Sequence, residues 1–171
     1  AYAAAATNTW AGFYIGGHGG WVTGTGLLTN FEEAWKANAD GFVYGAHAGF
    51  NVQKGWFVGG IELAVTNYNN VKATGSTGCD CVVADLLAKV GVAVTPRLLV
   101  YVAGGGYWDN GMTLGLTSNF GWVAGAGIDW LPFNDNIVIG GRWLYRNHDV
   151  AHFAAYDTAQ HEFTLRASYK F

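Results

Sequence analysis

From Gln160 to Phe171 the chain alternates without a break. Phe163, Leu165, Ala167, Tyr169 and Phe171 fall on one face of an extended chain, and Glu162, Thr164, Arg166, Ser168 and Lys170 on the other. Successive side chains of a strand point to opposite faces, so a strict period of two makes a strand with one oily and one polar face. The pattern recurs along the chain. Eight segments read this way, at roughly 10–23, 41–53, 56–68, 82–95, 97–109, 119–131, 136–148 and 160–171, each about 11–14 residues long. Soluble strands average about five or six residues, whereas a tilted membrane-crossing strand needs roughly 9–11. Eight long strands in succession point to a membrane. Hydrocarbon tolerates a sheet only when it closes on itself, because an open edge leaves backbone groups unpaired.

The phase of each segment decides what lies inside. Ile137, Ile139, Gly141, Trp143 and Tyr145 stand opposite Arg142, Arg146 and His148. Leu86, Ala88, Val90, Val92 and Val94 stand opposite Asp85 and Lys89, and Phe57, Ile61, Leu63 and Val65 opposite Glu62 and Thr66. Phe42, Tyr44, Phe50 and Val52 oppose His47 and Asn51, while Trp122, Ile128 and Trp130 oppose Asp129. In the first segment Phe13, Ile15 and Trp21 face out, with Tyr14 and His18 in. Segment 97–109 is apolar on both faces and has no readable phase.

The inward set therefore holds Glu62, Asp85, Asp129 and Glu162 together with Lys89, Arg142, Arg146, Arg166 and Lys170, four acids against five bases. An eight-stranded barrel is just wide enough for its own side chains, and charges in so narrow a space must pair or meet trapped water. A salt-bridged plug that fixes the barrel is the expectation, and a gated small-solute path the alternative. His18 and His47 phase inward on neighbouring strands about 4.8 Å apart, so their rings can meet. Hydrogen-bonded lumen histidines are expected there, since a metal needs further ligands that no spacing motif supplies. His148, His152 and His161, with Asp149 and Asp157, flank the last connection. Solvated loop residues are the expectation there, and a metal site the alternative.

Connections alternate in length. Lys54-Gly55, Thr95-Pro96-Arg97 and 131–136 are short, whereas 24–40, 69–81, 109–118 and 149–159 are long. Short turns on one side and long loops on the other is the layout of an outer-membrane barrel, with the loops extracellular and both termini periplasmic. Residues 1–9 read as a periplasmic segment whose secretory signal has been removed, and 10–171 as the barrel. Aromatics near strand ends (Trp10, Trp21, Trp56, Tyr68, Tyr107, Trp108, Trp130, Tyr145, Tyr169 and Phe171) are expected in two interfacial girdles. Composition agrees. Only 12% of residues are charged, against about a quarter in soluble domains. No basic block marks a nucleic-acid partner. Cys79 and Cys81 are too few for a disulfide framework; a local disulfide or idle thiols are expected in an oxidising compartment.

Several stretches resemble the small outer-membrane β-barrel family of proteobacteria, the porin-like or surface-antigen proteins, similar in architecture to the outer membrane protein A barrel. Trp10-Ala-Gly-Phe-Tyr-Ile-Gly-Gly17 resembles its opening strand, and Gly41 to Gly49 with Trp56-Phe-Val-Gly-Gly-Ile-Glu62 its second hairpin. Thr95 to Gly105 resembles its fourth turn and fifth strand, Gly121 to Asp129 its sixth strand, and Leu165 to Phe171 its last. Each motif is weak alone; order and spacing make the likeness specific, over nearly the whole chain. Lys89 stands where the pattern leads us to expect arginine, and Cys79-Asp80-Cys81 is foreign to it. The resemblance implies an all-β fold, an eight-stranded antiparallel up-and-down transmembrane β-barrel with short periplasmic turns and long extracellular loops. It brings no catalytic residues and no cofactor. Phe163, Leu165, Tyr169 and Phe171 resemble the C-terminal signal read by the barrel assembly machinery.

The function expected is a structural or surface-interaction role in the Gram-negative cell envelope. A narrow porin-like channel is the alternative, and an outer-membrane lipid-modifying enzyme a further one. Barrels of this size include a lipid A deacylase and a palmitoyl transferase, the deacylase resembling a His-x-Ser arrangement. Here Arg146-Asn-His-Asp-Val-Ala-His152 has no serine beside it, and an approach of Ser118 to His148 lacks a third orienting group. The partners expected are outer-membrane lipids and lipopolysaccharide, with a homo-oligomer or neighbouring envelope protein as a further candidate.

Overall fold

The computed structural model describes residues 9–30, 33–72, 79–109, 119–149 and 157–171, and for 25–30, 33–39, 69–72, 79–81, 109, 119, 148–149 and 157–159 it describes the backbone alone. Its strands are β1 (Gly12–Asn30), β2 (Glu33–Lys54), β3 (Phe57–Lys72), β4 (Cys79–Thr95), β5 (Leu98–Asp109), β6 (Asn119–Trp130), β7 (Ile137–Asp149) and β8 (Asp157–Lys170). Each pairs antiparallel with the next, and β8 pairs with β1, so the eight form a closed barrel. Closure leaves no free edge. Phe171 N closes the β8–β1 seam by donating to Phe13 O at 2.9 Å, and on the β7 side Lys170 N donates to Asn136 O at 2.7 Å. At the β2–β3 turn Gly55 takes φ 62°, a left-handed conformation that glycine adopts without a steric penalty.

The two faces invert those of a soluble barrel. Outward positions carry large apolar side chains, among them Ile61, Leu86, Val102, Phe120 and Leu165, each more than half exposed. Inward positions carry the charges, with Asp85 and Glu162 fully buried. Glycine follows the same division. Inward glycines lie beneath large neighbours, as Gly49 does beneath Tyr14, whereas a Cβ at outward Gly141 would meet nothing within 4 Å.

Two sequence expectations are corrected, and one strand left without a phase receives one. The loop expected over 24–40 is largely strand, since the β1–β2 ladder runs on from Thr23–Asp40 to Asn30–Glu33. Backbone pairing needs no apolar pattern, so alternation stops where one face no longer has to be oily while the hydrogen bonds continue. For the same reason β3 reaches Lys72, β4 starts at Cys79 and β8 at Asp157.

Trp10, Tyr68 and Tyr107 are not girdle residues. All three are buried inside, because nearness to a strand end says nothing about which face a residue occupies. Strand β5 acquires a phase: Leu99, Tyr101, Ala103 and Tyr107 point in, and Val100, Val102 and Trp108 point out. From Leu99 to Tyr107 its inward side carries no charge, which is why that stretch is apolar on both faces.

Candidate functional site

Among the described residues polar chemistry is concentrated in the barrel interior, where the charges form two ionic groups. Glu62 on β3 is the hub of the first. Its Oε1 accepts from Arg142 Nη1 at 2.5 Å, and its Oε2 from Arg166 Nη2 at 2.6 Å and the Tyr14 hydroxyl at 2.7 Å. Arg166 Nη1 also donates to the Tyr101 hydroxyl at 2.9 Å. Lys89 Nζ stands 3.5 Å from Asp129 and over the rings of Tyr14 and Tyr101, 4.8 and 4.6 Å from their centroids.

In the second group Arg146 bridges two carboxylates, donating through Nη1 to Glu162 at 2.5 Å and through Nη2 to Asp85 at 2.6 Å. The Tyr68 hydroxyl donates to the same Glu162 oxygen at 2.6 Å. Lys170 borders a cavity of about 10 Å³ with Trp10, Tyr14, Asn51, Lys89 and Asp129.

Apolar side chains collar both groups. Trp10, Val58, Ala93, Leu99, Leu131 and Val138 cluster beside the short turns. Val22, Val43, Val83, Leu87, Val123 and Leu144, with Tyr68 and Tyr107, cluster toward the other end. Charges so enclosed are held at a large desolvation cost, offset only while every partner stays in place.

The two histidines join in a different way. His18 and His47 face each other through Nδ1 at 3.2 Å. His18 Nε2 lies 3.0 Å from the Thr66 hydroxyl, and His47 Nε2 lies 2.7 Å from the Ser168 hydroxyl. The register explains this reach. His18 pairs with Gly45 and Gly45 with Thr66, so His18 crosses a bare glycine to the next strand. His47 pairs with Gly16 and Gly16 with Ser168, so His47 crosses in the opposite direction. Four side chains on β3, β1, β2 and β8 thereby form one hydrogen-bonded chain.

All eleven inward residues singled out in the sequence lie in this buried interior. Of the tyrosines that donate to the glutamates, Tyr14 reads as inward in the sequence and Tyr68 does not. Parity was the available signal, since Tyr68 shares the face of Glu62 and Thr66. Among the described residues no group of three or more His, Cys, Asp or Glu can hold a metal ion. His161 stacks on Trp143 at 5.8 Å with the rings 13° apart. His152, Ser118 and the side chains of His148, Cys79 and Cys81 lie outside the described residues, so the loop metal alternative, the Ser118–His148 approach and the local disulfide fall there too. Phe163, Leu165, Tyr169 and Phe171 all face outward. The Phe171 ring meets Phe13 at 5.8 Å and Tyr169 at 5.1 Å.

Solved structures similar to this chain are outer-membrane barrels. Neisserial surface protein A is 11% identical, with 94% of this chain and 98% of that one covered at a TM-score of 0.58. The N-terminal barrel domain of Pseudomonas aeruginosa OprF is 14% identical, covering 91% and 99% at 0.57. Yersinia pestis Ail, the attachment invasion locus protein, solved with the heparin analogue sucrose octasulfate, is 16% identical and covers 94% and 99% at 0.51. No curated protein matches the chain. The family model for the outer membrane protein beta-barrel domain matches residues 1–171. With an oily exterior, a charged interior and no free edge, the chain belongs to that family and is an integral protein of the outer membrane.

Proposed function

We propose that this barrel is a closed pillar of the cell envelope whose outward business is conducted at its surface, by the connections opposite the short turns, rather than through its lumen. The observation that carries the reading is the bridging of Glu62 by Arg142 and Arg166 and of Asp85 and Glu162 by Arg146, all side chains at 3% exposure or less. A solute has to part these pairs and the apolar collars around them before it can pass. Short turns and both termini lie on the periplasmic side, and the longer connections face outward. Lipopolysaccharide and phospholipid surround the barrel, and the assembly machinery delivers it through the outward apolar residues of β8. The proposal assigns it no catalytic role.

Conductance in planar bilayers tests the proposal. The purified barrel should give no steady ionic current, and Arg146→Ala with Glu162→Ala should raise leakage by opening one ionic group. A steady current from the parent protein supports the narrow-channel alternative and overturns the closed-lumen reading.

A further inference from the structure

The ionic group around Glu62 does not balance. The carboxylates of Glu62 and Asp129 stand with Arg142, Arg166, Lys89 and Lys170, all of them buried. Two guanidiniums share Glu62, Lys89 stands 3.5 Å from Asp129, and among the described residues no carboxylate pairs with Lys170. Lys170 is nevertheless only 8% exposed. A buried cation without a counter-charge is costly to hold. The other ionic group has the opposite excess, one cation between Asp85 and Glu162, but Arg146 places it farther along β7 from the short turns.

The cavity of about 10 Å³ is bordered by Lys89, Lys170, Asp129, Trp10 and Asn51, so two cations meet one carboxylate at its wall. Trp10 supplies an independent sign. Its side chain is buried, its backbone N–H donates to Gln53 Oε1 at 2.9 Å, and its indole Nε1–H has no acceptor. An indole nitrogen can only donate, and a buried donor normally has a partner. Arg142 and Arg166 leave further buried donors open, at Nε of both and at Nη2 of Arg142. This half of the lumen is short of negative charge and of acceptors together. The volume suits about one water-sized species. A water that accepts from the indole and donates to Asn51 Oδ1, which also has no partner, brings no charge to set against Lys170. A monatomic anion answers both needs.

We propose that this cavity is a halide site, in which one chloride ion accepts from the Trp10 indole N–H and the Lys170 ammonium, with Lys89 adding positive charge. A polyatomic anion such as phosphate is too large for it. The site lies by the short turns, where Lys170 N meets Asn136 O and Trp10 meets Gln53. It depends neither on the envelope role nor on which compartment those turns face.

The test uses the full chain refolded in lipid, with sodium chloride, sodium bromide and sodium gluconate as probes at constant ionic strength. Gluconate is too bulky to enter. Crystals grown in bromide should show one anomalous scatterer between Trp10 and Lys170. The urea midpoint should rise as chloride or bromide replaces gluconate, since an ion that binds only the folded barrel stabilises it. Trp10→Phe and Lys170→Met should each raise the halide concentration needed for half of that effect about tenfold or more, through the loss of a hydrogen bond to a charged group. Lys54→Met, which removes an exposed cation beside the β2–β3 turn, should leave it unchanged. Heat-shifted gel mobility reports that each variant is folded, and if one fails the other carries the comparison. Equal midpoints in chloride and gluconate overturn the proposal and leave the cavity to water. So does a bromide found in the crystal with no halide dependence in solution, or a folded variant of Trp10 or Lys170 that keeps the parental halide dependence.

Discussion

His18 lies across Gly45 of the neighbouring strand, its Nε2 only 2.7 Å from where a Cβ on that glycine would stand, and the same Cβ would collide with the Val65 carbonyl. The glycine is thus a saddle for the ring. Gly45→Ala should cost about 1–3 kcal/mol by overpacking, read as a shifted urea midpoint for the barrel refolded in lipid. Outward Gly141→Ala should change stability by no more than about 0.5 kcal/mol. Equal losses at the two positions contradict the division between inward and outward glycines.

Glu62 and Asp129 are both buried acids with different standing. Glu62 receives Arg142, Arg166 and Tyr14 at 2.5–2.7 Å, whereas Lys89 stands 3.5 Å from Asp129. Glu62→Gln should destabilise the barrel by about 3–5 kcal/mol, the usual consequence of leaving buried charge uncompensated, and Asp129→Asn by clearly less. Unfolding free energies of the two variants in the same lipid settle the order.

Depth in the membrane can be read from arginine. Leu165 is 75% exposed on the outward face of β8, and Phe133 is 76% exposed in the short connection after β6. Leu165→Arg should cost about 2–4 kcal/mol and Phe133→Arg about 0–1, following the depth dependence of a cation on the lipid face. A comparable penalty at both positions removes the membrane boundary from between them.

Removing Phe171 separates stability from delivery. Its ring contacts Phe13 and Tyr169 and its backbone N–H closes onto Phe13 O. Truncation should lower the stability of refolded barrel by about 2 kcal/mol, one apolar side chain's worth. In cells the amount reaching the outer membrane should fall much further, because the outward face of the last strand is altered before the barrel exists. Normal surface levels of the truncated chain rule out the delivery role.

Much of the barrel was legible because a strand's faces are written in alternation. Phe163 through Phe171 could be phased from letters alone, and so could the charges from Glu62 to Lys170. Strand β5 resisted because its inward side offers Leu99, Tyr101, Ala103 and Tyr107, as apolar as its outward side. Trp10, Tyr68 and Tyr107 were misplaced by position when parity would have set Tyr68 with Glu62. The histidine chain was half legible. That His18 and His47 meet follows from neighbouring inward positions, but their reach to Thr66 and Ser168 depends on which residue of each adjacent strand falls opposite, and on those residues being Gly45 and Gly16. Register is a property of pairs of segments, and neither segment carries it alone.

The Nδ1-to-Nδ1 contact between His18 and His47 couples their tautomers. A single proton fits between the two nitrogens, so in neutral rings one Nδ1 carries it and the other accepts. If His18 donates, its Nε2 must accept from the Thr66 hydroxyl, while His47 must present Nε2–H to Ser168. If His47 donates, every bond in the chain runs the other way. The two rings can therefore never share a tautomer, and the four residues behave as one object with two opposite polarities and the same heavy-atom positions.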